Sequence, residues 1–138
     1  MELHVPFRAR LFGLGQPTES SDGSRRGHPL PVTWEVALDH LARLPRMYVE
    51  PDGSFLWTGI SGADQAWQLE GTLYDNGVAV QYVDLRGHCP LSAWHDFLAA
   101  FLASFASISL ELIETDGQPS QQRWVDGAWL QRLASQGG

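Results

Sequence analysis

The chain has 138 residues and a formal net charge of −7 at pH 7, from 16 acidic residues and nine basic ones that are all arginine. The absence of lysine excludes Schiff-base chemistry and a phosphate-loop lysine, and the acidic balance without a basic cluster argues against nucleic-acid binding. No apolar run approaches the ~20 residues of a membrane-spanning helix, so we expect no membrane insertion.

The length and the 43% hydrophobic share predict a single globular domain over residues 1–138. Cys89 is the only cysteine, so no internal disulfide can form, which is typical of a reducing compartment. The first residues show neither a basic region nor an apolar signal core. We therefore expect a cytoplasmic protein.

The first third of the chain predicts a strand, a loop and a helix. Apolar and polar side chains alternate over residues 5–14, as in a strand with one buried face. Residues 13–30 are rich in glycine, serine and proline, which predicts a mobile loop. Thr33 is a favourable N-cap for a helix over residues 34–44, and Pro45 ends it.

A first hairpin is predicted around an Asp-Gly turn at residues 52–53. A two-residue turn there places Tyr48 opposite Trp57 and Glu50 opposite Phe55 on one face of the hairpin. The other face also carries apolar side chains. Either the hairpin is central and covered on both faces, or its aromatic face awaits a partner.

A second hairpin is predicted around the Asn-Gly turn of residues 75–78. A two-residue turn places Asp84 opposite Leu69, on the apolar face of the hairpin. A carboxylate is out of pattern on that face. At the end of its strand it is expected to reach solvent, cap a loop amide or pair with Arg86 or Arg10.

The C-terminal third predicts a strongly apolar second helix over residues 92–105, then an alternating strand over residues 108–115. Residues 123–125 predict a last short strand, and residues 128–134 a short helix capped by Asp126. Together these elements predict an α+β fold. It has a mainly antiparallel sheet of five to seven strands, with two main helices packed on one face and a short C-terminal helix.

One group of residues near the start of the second helix invites a chemical interpretation. Cys89 adjoins His88 and precedes the helix that carries His95, and both a histidinium and a helix N-terminus lower the pKa of a thiol. Asp84 lies on the preceding strand. These four residues suggest a ligand site or a small active site, although the histidine spacing does not predict a metal site. The alternative is a small cysteine packed at a strand-to-helix junction.

Two functions remain open from the sequence. The first is a non-catalytic, cytosolic protein-interaction module, an adaptor, chaperone-like or toxin-neutralising protein. It would bind another protein or a second copy of itself through Tyr48, Phe55, Trp57 and Glu50. The second is a small-molecule-binding domain or small enzyme near Cys89. Neither predicts a cofactor, and no residue is assigned a catalytic role. Exposure of Tyr48 and Trp57 would favour the first, and a reactive thiol in a deep pocket the second.

Overall fold

The computed structural model describes residues 6–19, 25–62, 64–120 and 124–136. In this part of the chain, one antiparallel sheet packs against three helices, so the predicted α+β class is confirmed. The strands are β1 (Phe7–Glu19), β2 (Arg25–His28), β3 (Met47–Val49), β4 (Ser54–Ile60), β5 (Ala66–Asp75), β6 (Val80–His88), β7 (Ile108–Thr115), β8 (Gln118–Pro119) and β9 (Trp124–Asp126). The helices are α1 (Trp34–Ala42), α2 (Leu91–Ala100) and α3 (Gly127–Gln136), with one 3-10 turn at Phe105–Ser107.

The sheet has the strand order β3-β4-β5-β6-β1-β7-β8, with β2 paired beside β1 and β9 beside β7. The path of seven strands matches the upper end of the predicted five to seven, and β2 and β9 bring the described sheet to nine strands. β1 is central, because it pairs with both β6 and β7. The first hairpin, β3–β4, lies at one edge of the sheet.

The core lies between the helices and one face of the sheet. On β1, Phe7, Ala9 and Leu11 are buried in it, as the alternation predicts. Helix α2 contributes the large, fully buried side chains Trp94 and Phe97. The opposite face of the sheet carries no helix in the described part of the chain, and we call it the helix-free face.

The helix boundaries follow their local chemistry. The Thr33 hydroxyl accepts a hydrogen bond from the Val36 amide (3.3 Å), so Thr33 is the N-cap of α1 as predicted. The prediction that the second helix continues to residue 105 is wrong. Leu102 adopts a left-handed conformation (φ 56°), and the Ala103 amide donates back to the Leu98 carbonyl (3.0 Å), which ends α2.

The loop predicted over residues 13–30 is largely a hairpin in the described residues. β1 continues to Glu19, and β2 pairs with it through Gly13–His28 and Glu19–Arg25. The glycine-rich composition of these residues, typical of a loop, concealed the strands. At Gly27 the glycine has a packing role, because a Cβ there would come within 2.3 Å of the Phe12 ring. Residues 20–24 of the predicted loop lie outside the described residues.

The C-terminal elements form close to their predicted positions. Strand β9 begins at Trp124, and Asp126 accepts a hydrogen bond from the Trp129 amide (3.2 Å) at the start of α3, so its predicted capping role is confirmed. Arg123, at the start of the predicted strand, lies outside the described residues. None of the helices in the described ranges is long and apolar enough to span a membrane.

Candidate functional site

The turn of the first hairpin has three residues rather than two. The Gly53 amide donates to the Glu50 carbonyl (3.0 Å), and the Glu50 amide donates to the Ser54 carbonyl (2.9 Å). Gly53 has a φ of 91°, as expected for the left-handed residue of a G1 bulge after a type I turn. The Asp52 carboxylate accepts hydrogen bonds from the hydroxyl (2.7 Å) and the amide (3.0 Å) of Ser54, which lower its pKa.

The extra turn residue corrects the predicted register. Glu50 now lies opposite Ser54, so every pair shifts by one residue relative to the prediction. Side chains alternate between the two faces of a strand. A shift of one residue therefore puts Tyr48 and Trp57 on different faces of the hairpin. The observed pairs are Met47 with Trp57, Tyr48 with Leu56, and Val49 with Phe55.

Two of the four predicted surface residues are therefore in the core. Phe55 and Trp57 are only 4% and 3% exposed. The Trp57 indole stacks on Phe97 at 6.1 Å between ring centroids and donates a hydrogen bond to the Pro45 carbonyl (2.8 Å). The prediction that Phe55 and Trp57 form an interaction surface is wrong. Tyr48 and Glu50 are exposed.

Two apolar side chains share the helix-free face with Tyr48 and were missed by sequence reasoning. Leu56 lies directly opposite it, and Ile60 lies four residues further along β4, about 13 Å from Leu56 for an extended chain. Their exposed fractions are 63% for Tyr48, 38% for Leu56 and 67% for Ile60. We call these three residues the open corner. The alternation along β4 would have revealed Leu56 and Ile60 if the turn length had been known.

The centre of the helix-free face has a different organisation, a row of aromatic rings in contact with one another. Tyr82 stacks on Tyr74 (4.7 Å between centroids) and contacts Phe12 (5.4 Å). Phe12 in turn contacts Trp124 at 5.5 Å. We call these four residues the aromatic row. Its rings come from β5, β6 and β1, which are neighbouring strands, and from β9, which is separated from β1 by β7.

Charged side chains beside the aromatic row are paired. Arg10 donates to Glu111 (2.8 Å), whose side chain is 5% exposed, and its guanidinium lies 5.9 Å from the centroid of the Tyr82 ring. The hydrogen bond to Glu111 raises the pKa of Arg10. Arg8 pairs with Asp84 at 3.4 Å. Charge within the centre of the face is thus balanced within the protein.

The second hairpin also departs from its predicted register. Asp84 lies opposite Thr72 on the helix-free face, not opposite Leu69 on the core face. The loop is longer than two residues because the Asn76 side-chain oxygen accepts hydrogen bonds from the amides of both Val78 and Ala79 (2.8 Å each). A bulge at the end of β5 adds a further shift. The Asp84 carboxylate therefore lies on the face where polar side chains are expected. Its ion-pair partner is Arg8 rather than Arg86 or Arg10.

The structure buries the thiol of the alternative site. Cys89 is 3% exposed, and burial raises its pKa well above the usual value, so the thiol is protonated at neutral pH. His95 is exposed and lies edge-on to Phe105 (5.0 Å). Asp84 and His88 are four residues apart along β6, about 13 Å for an extended chain. Within the described ranges, no group of three His, Cys, Asp or Glu residues could hold a metal ion.

Beside the open corner lies a depression of about 400 Å³, which sequence reasoning also missed. It surrounds the end of β4 and the start of β5, where Ile60 pairs with Ala66. We call it the corner depression. It is lined by Arg46, Thr58, Gly59, Ile60, Ala66, Trp67, Gln68 and His88.

Comparison of the chain with protein-family models, with curated proteins and with solved structures found no match.

Proposed function

We propose that this protein is a non-catalytic, cytosolic protein-interaction module that binds its partner through the open corner. The observation that carries the proposal is the exposure of Tyr48 beside Leu56 on a sheet face that no described helix covers. In an antiparallel sheet with one solvated face, polar residues are expected at such positions. An exposed tyrosine paired with an aliphatic side chain is typical of the centre of a protein interface.

The contrast with the rest of the helix-free face supports this choice of surface. The rings and charges of the centre already contact one another, whereas Tyr48 and Ile60 expose well over half of their side-chain surface. Burial of apolar area stabilises a complex by about 25 cal/mol per Å² before the costs of association. The net charge of −7 favours a partner with a basic surface around its apolar contact.

The alternative function, a small-molecule site or small enzyme near Cys89, has less support. It requires an accessible thiol of lowered pKa, and burial of Cys89 raises that pKa instead. Nothing in the geometry of Asp84, His88 and His95 compensates for this loss.

The proposal is tested with the purified protein as bait in lysate of the source organism. The variant Tyr48→Ser/Leu56→Thr removes the apolar contact but leaves the core unchanged. The matched control is Val78→Ser, which removes an 80% exposed side chain from the turn between β5 and β6. We expect a partner that the wild type and Val78→Ser retain and the double variant loses. Equal capture by all three baits would contradict the proposal. If the captured chain is a second copy of this protein, the module is a homodimer through the same surface.

A further inference from the structure

Arg46 lies at the point where the first hairpin stops pairing. Its φ of 62° is in the left-handed region, which an arginine rarely adopts, and it directs the chain away from β4. Glu50 and Ser54 form a hydrogen-bonded pair, so the alternation of an antiparallel ladder directs the Thr58 carbonyl toward the same edge. Arg46 Nε donates to that carbonyl (3.2 Å). The side chain thus takes the place of the next backbone donor, which anchors the guanidinium at the sheet edge beside the corner depression.

The charge of the corner depression differs from that of the whole chain. Its polar lining consists of Arg46, Thr58, Gln68 and His88, with no aspartate or glutamate among the described lining residues. The chain as a whole has 16 acidic against nine basic side chains. A guanidinium has five N–H donors, of which the Thr58 carbonyl accepts one. Arg46 therefore has donors left for an anionic group, and a carboxylate matches its geometry.

The apolar part of the corner depression consists of Ile60 and Ala66, which lie opposite each other on the helix-free face of β4 and β5. The backbone beneath them is packed on the core face, where a Cβ on Gly59 would come within 2.2 Å of the Trp67 ring. Trp67 also packs edge-on against Trp57 at 4.9 Å between centroids. The two strands therefore require little ordering when a ligand binds. Ile60 lines the depression and belongs to the open corner, so the two surfaces are continuous.

We propose that the corner depression binds the C-terminal carboxylate of the partner chain, with Arg46 as its charge partner and the last side chain against Ile60 and Ala66. This inference rests on the proposed function and specifies the partner's chemistry. The carboxylate and side chain of a terminal residue share one Cα, so one depression accommodates both. Ile60 and Leu56 are four residues apart on β4, so about four extended residues of the partner reach across the open corner.

Amide NMR shifts of the ¹⁵N-labelled protein test the proposal. The probe is a pool of acetylated hexapeptides, randomised except for a final leucine, with either a free C-terminal carboxylate or a C-terminal amide. We expect the carboxylate pool to shift the Ile60 and Ala66 amide signals. Loss of one charged hydrogen bond predicts about tenfold weaker binding of the amide pool. N-acetyl-leucine is included to test whether a small carboxylic acid binds as well as a peptide terminus.

Two arginine variants provide the controls. Arg46→Gln is expected to weaken binding of the carboxylate pool about tenfold, to the level of the amide pool, while Arg46→Lys retains part of it. Arg43→Gln, which removes an exposed arginine paired with Asp39 on α1, is expected to have no effect. The spectrum of each variant reports whether it is folded.

Equal shifts with both pools, no shift with either, or full binding by folded Arg46→Gln would overturn the proposal. Equal affinity for N-acetyl-leucine and the peptide pool would overturn the assignment to a partner's terminus. Failure here is distinguishable from failure of the proposed function. Suppose that the lysate partner binds wild type and Arg46→Gln equally but does not bind Tyr48→Ser/Leu56→Thr. This result would support the interaction module and contradict the C-terminal carboxylate site.

Discussion

No described helix covers either the centre or the corner of the helix-free face, but the side chains of the two regions are packed differently. In the centre, Tyr82 packs between Tyr74 and Phe12, and Arg10 pairs with Glu111. At the corner, Tyr48 and Ile60 extend toward solvent. Central strands have neighbours on both sides, so their side chains contact one another within the sheet. The edge strand β3 has only three residues and offers few such contacts. Exposed apolar side chains of this kind, as in the open corner, are typical of surfaces that bind a second molecule.

The largest expected effect separates the two aromatic side chains of the first hairpin. Trp57→Ala removes a buried indole and its hydrogen bond to the Pro45 carbonyl, so we expect the free energy of unfolding to fall by about 3–5 kcal/mol. Tyr48→Ala is expected to change it by less than about 0.5 kcal/mol. Urea unfolding measures both. Similar losses in the two variants would contradict the observed register.

The next effect concerns the ion pair between Arg10 and the buried Glu111. Arg10→Ala removes the hydrogen bond that Arg10 donates to the Glu111 carboxylate (2.8 Å), at a cost of about 2 kcal/mol. This value is below that of a fully buried pair because the Arg10 side chain is 38% exposed. Arg86→Ala, an exposed arginine on the same face, is the control, with a cost below about 0.5 kcal/mol. If the two variants unfold at the same urea concentration, the centre of the face is not internally paired.

A smaller effect tests the aromatic row. Tyr82→Ala removes ring contacts with both Tyr74 and Phe12, so a loss of about 1–2 kcal/mol is expected. Ile60→Ala on the open corner serves as the comparison and should be nearly neutral. Thermal unfolding of the two variants side by side measures the difference. A greater loss from Ile60→Ala would mean that the corner is packed within the monomer.

The smallest effect is a pH dependence at the turn that sets the register. Hydrogen bonds from Ser54 lower the pKa of Asp52 below its usual value of 3.8. Their stabilisation is therefore present above that value and lost as the pH falls through the lower pKa of the folded state. Asp52→Asn should destabilise at neutral pH, with a difference from wild type that shrinks in acid. Ser54→Ala should reduce the same pH dependence. A difference that is constant with pH would contradict this role of the carboxylate.

Local patterns predicted most elements, because caps and side-chain alternation are encoded within a few residues. The strand over residues 108–115 and the Thr33 and Asp126 caps are confirmed. Register depends instead on turn length, and an Asp-Gly pair is compatible with both two-residue and three-residue turns. One residue of error placed Trp57 on the surface and obscured Leu56.

The corner depression could not be predicted from local sequence. It depends on the left-handed conformation of Arg46 and on contact between Gly59 and Trp67 across two strands. The same limit applies to β2, whose pairing with the end of β1 is hidden by a composition typical of loops.

The most direct test of the open corner uses the photoreactive residue benzoylphenylalanine in place of Tyr48. The same residue at Val78, which is more exposed than Tyr48 (80% against 63%) but lies in a turn, provides the control. Irradiation in lysate of the source organism, followed by mass spectrometry, identifies the crosslinked chains. We expect a discrete crosslinked partner from position 48 that position 78 does not yield. The same products from both positions, or none from position 48, would contradict the proposed interaction surface.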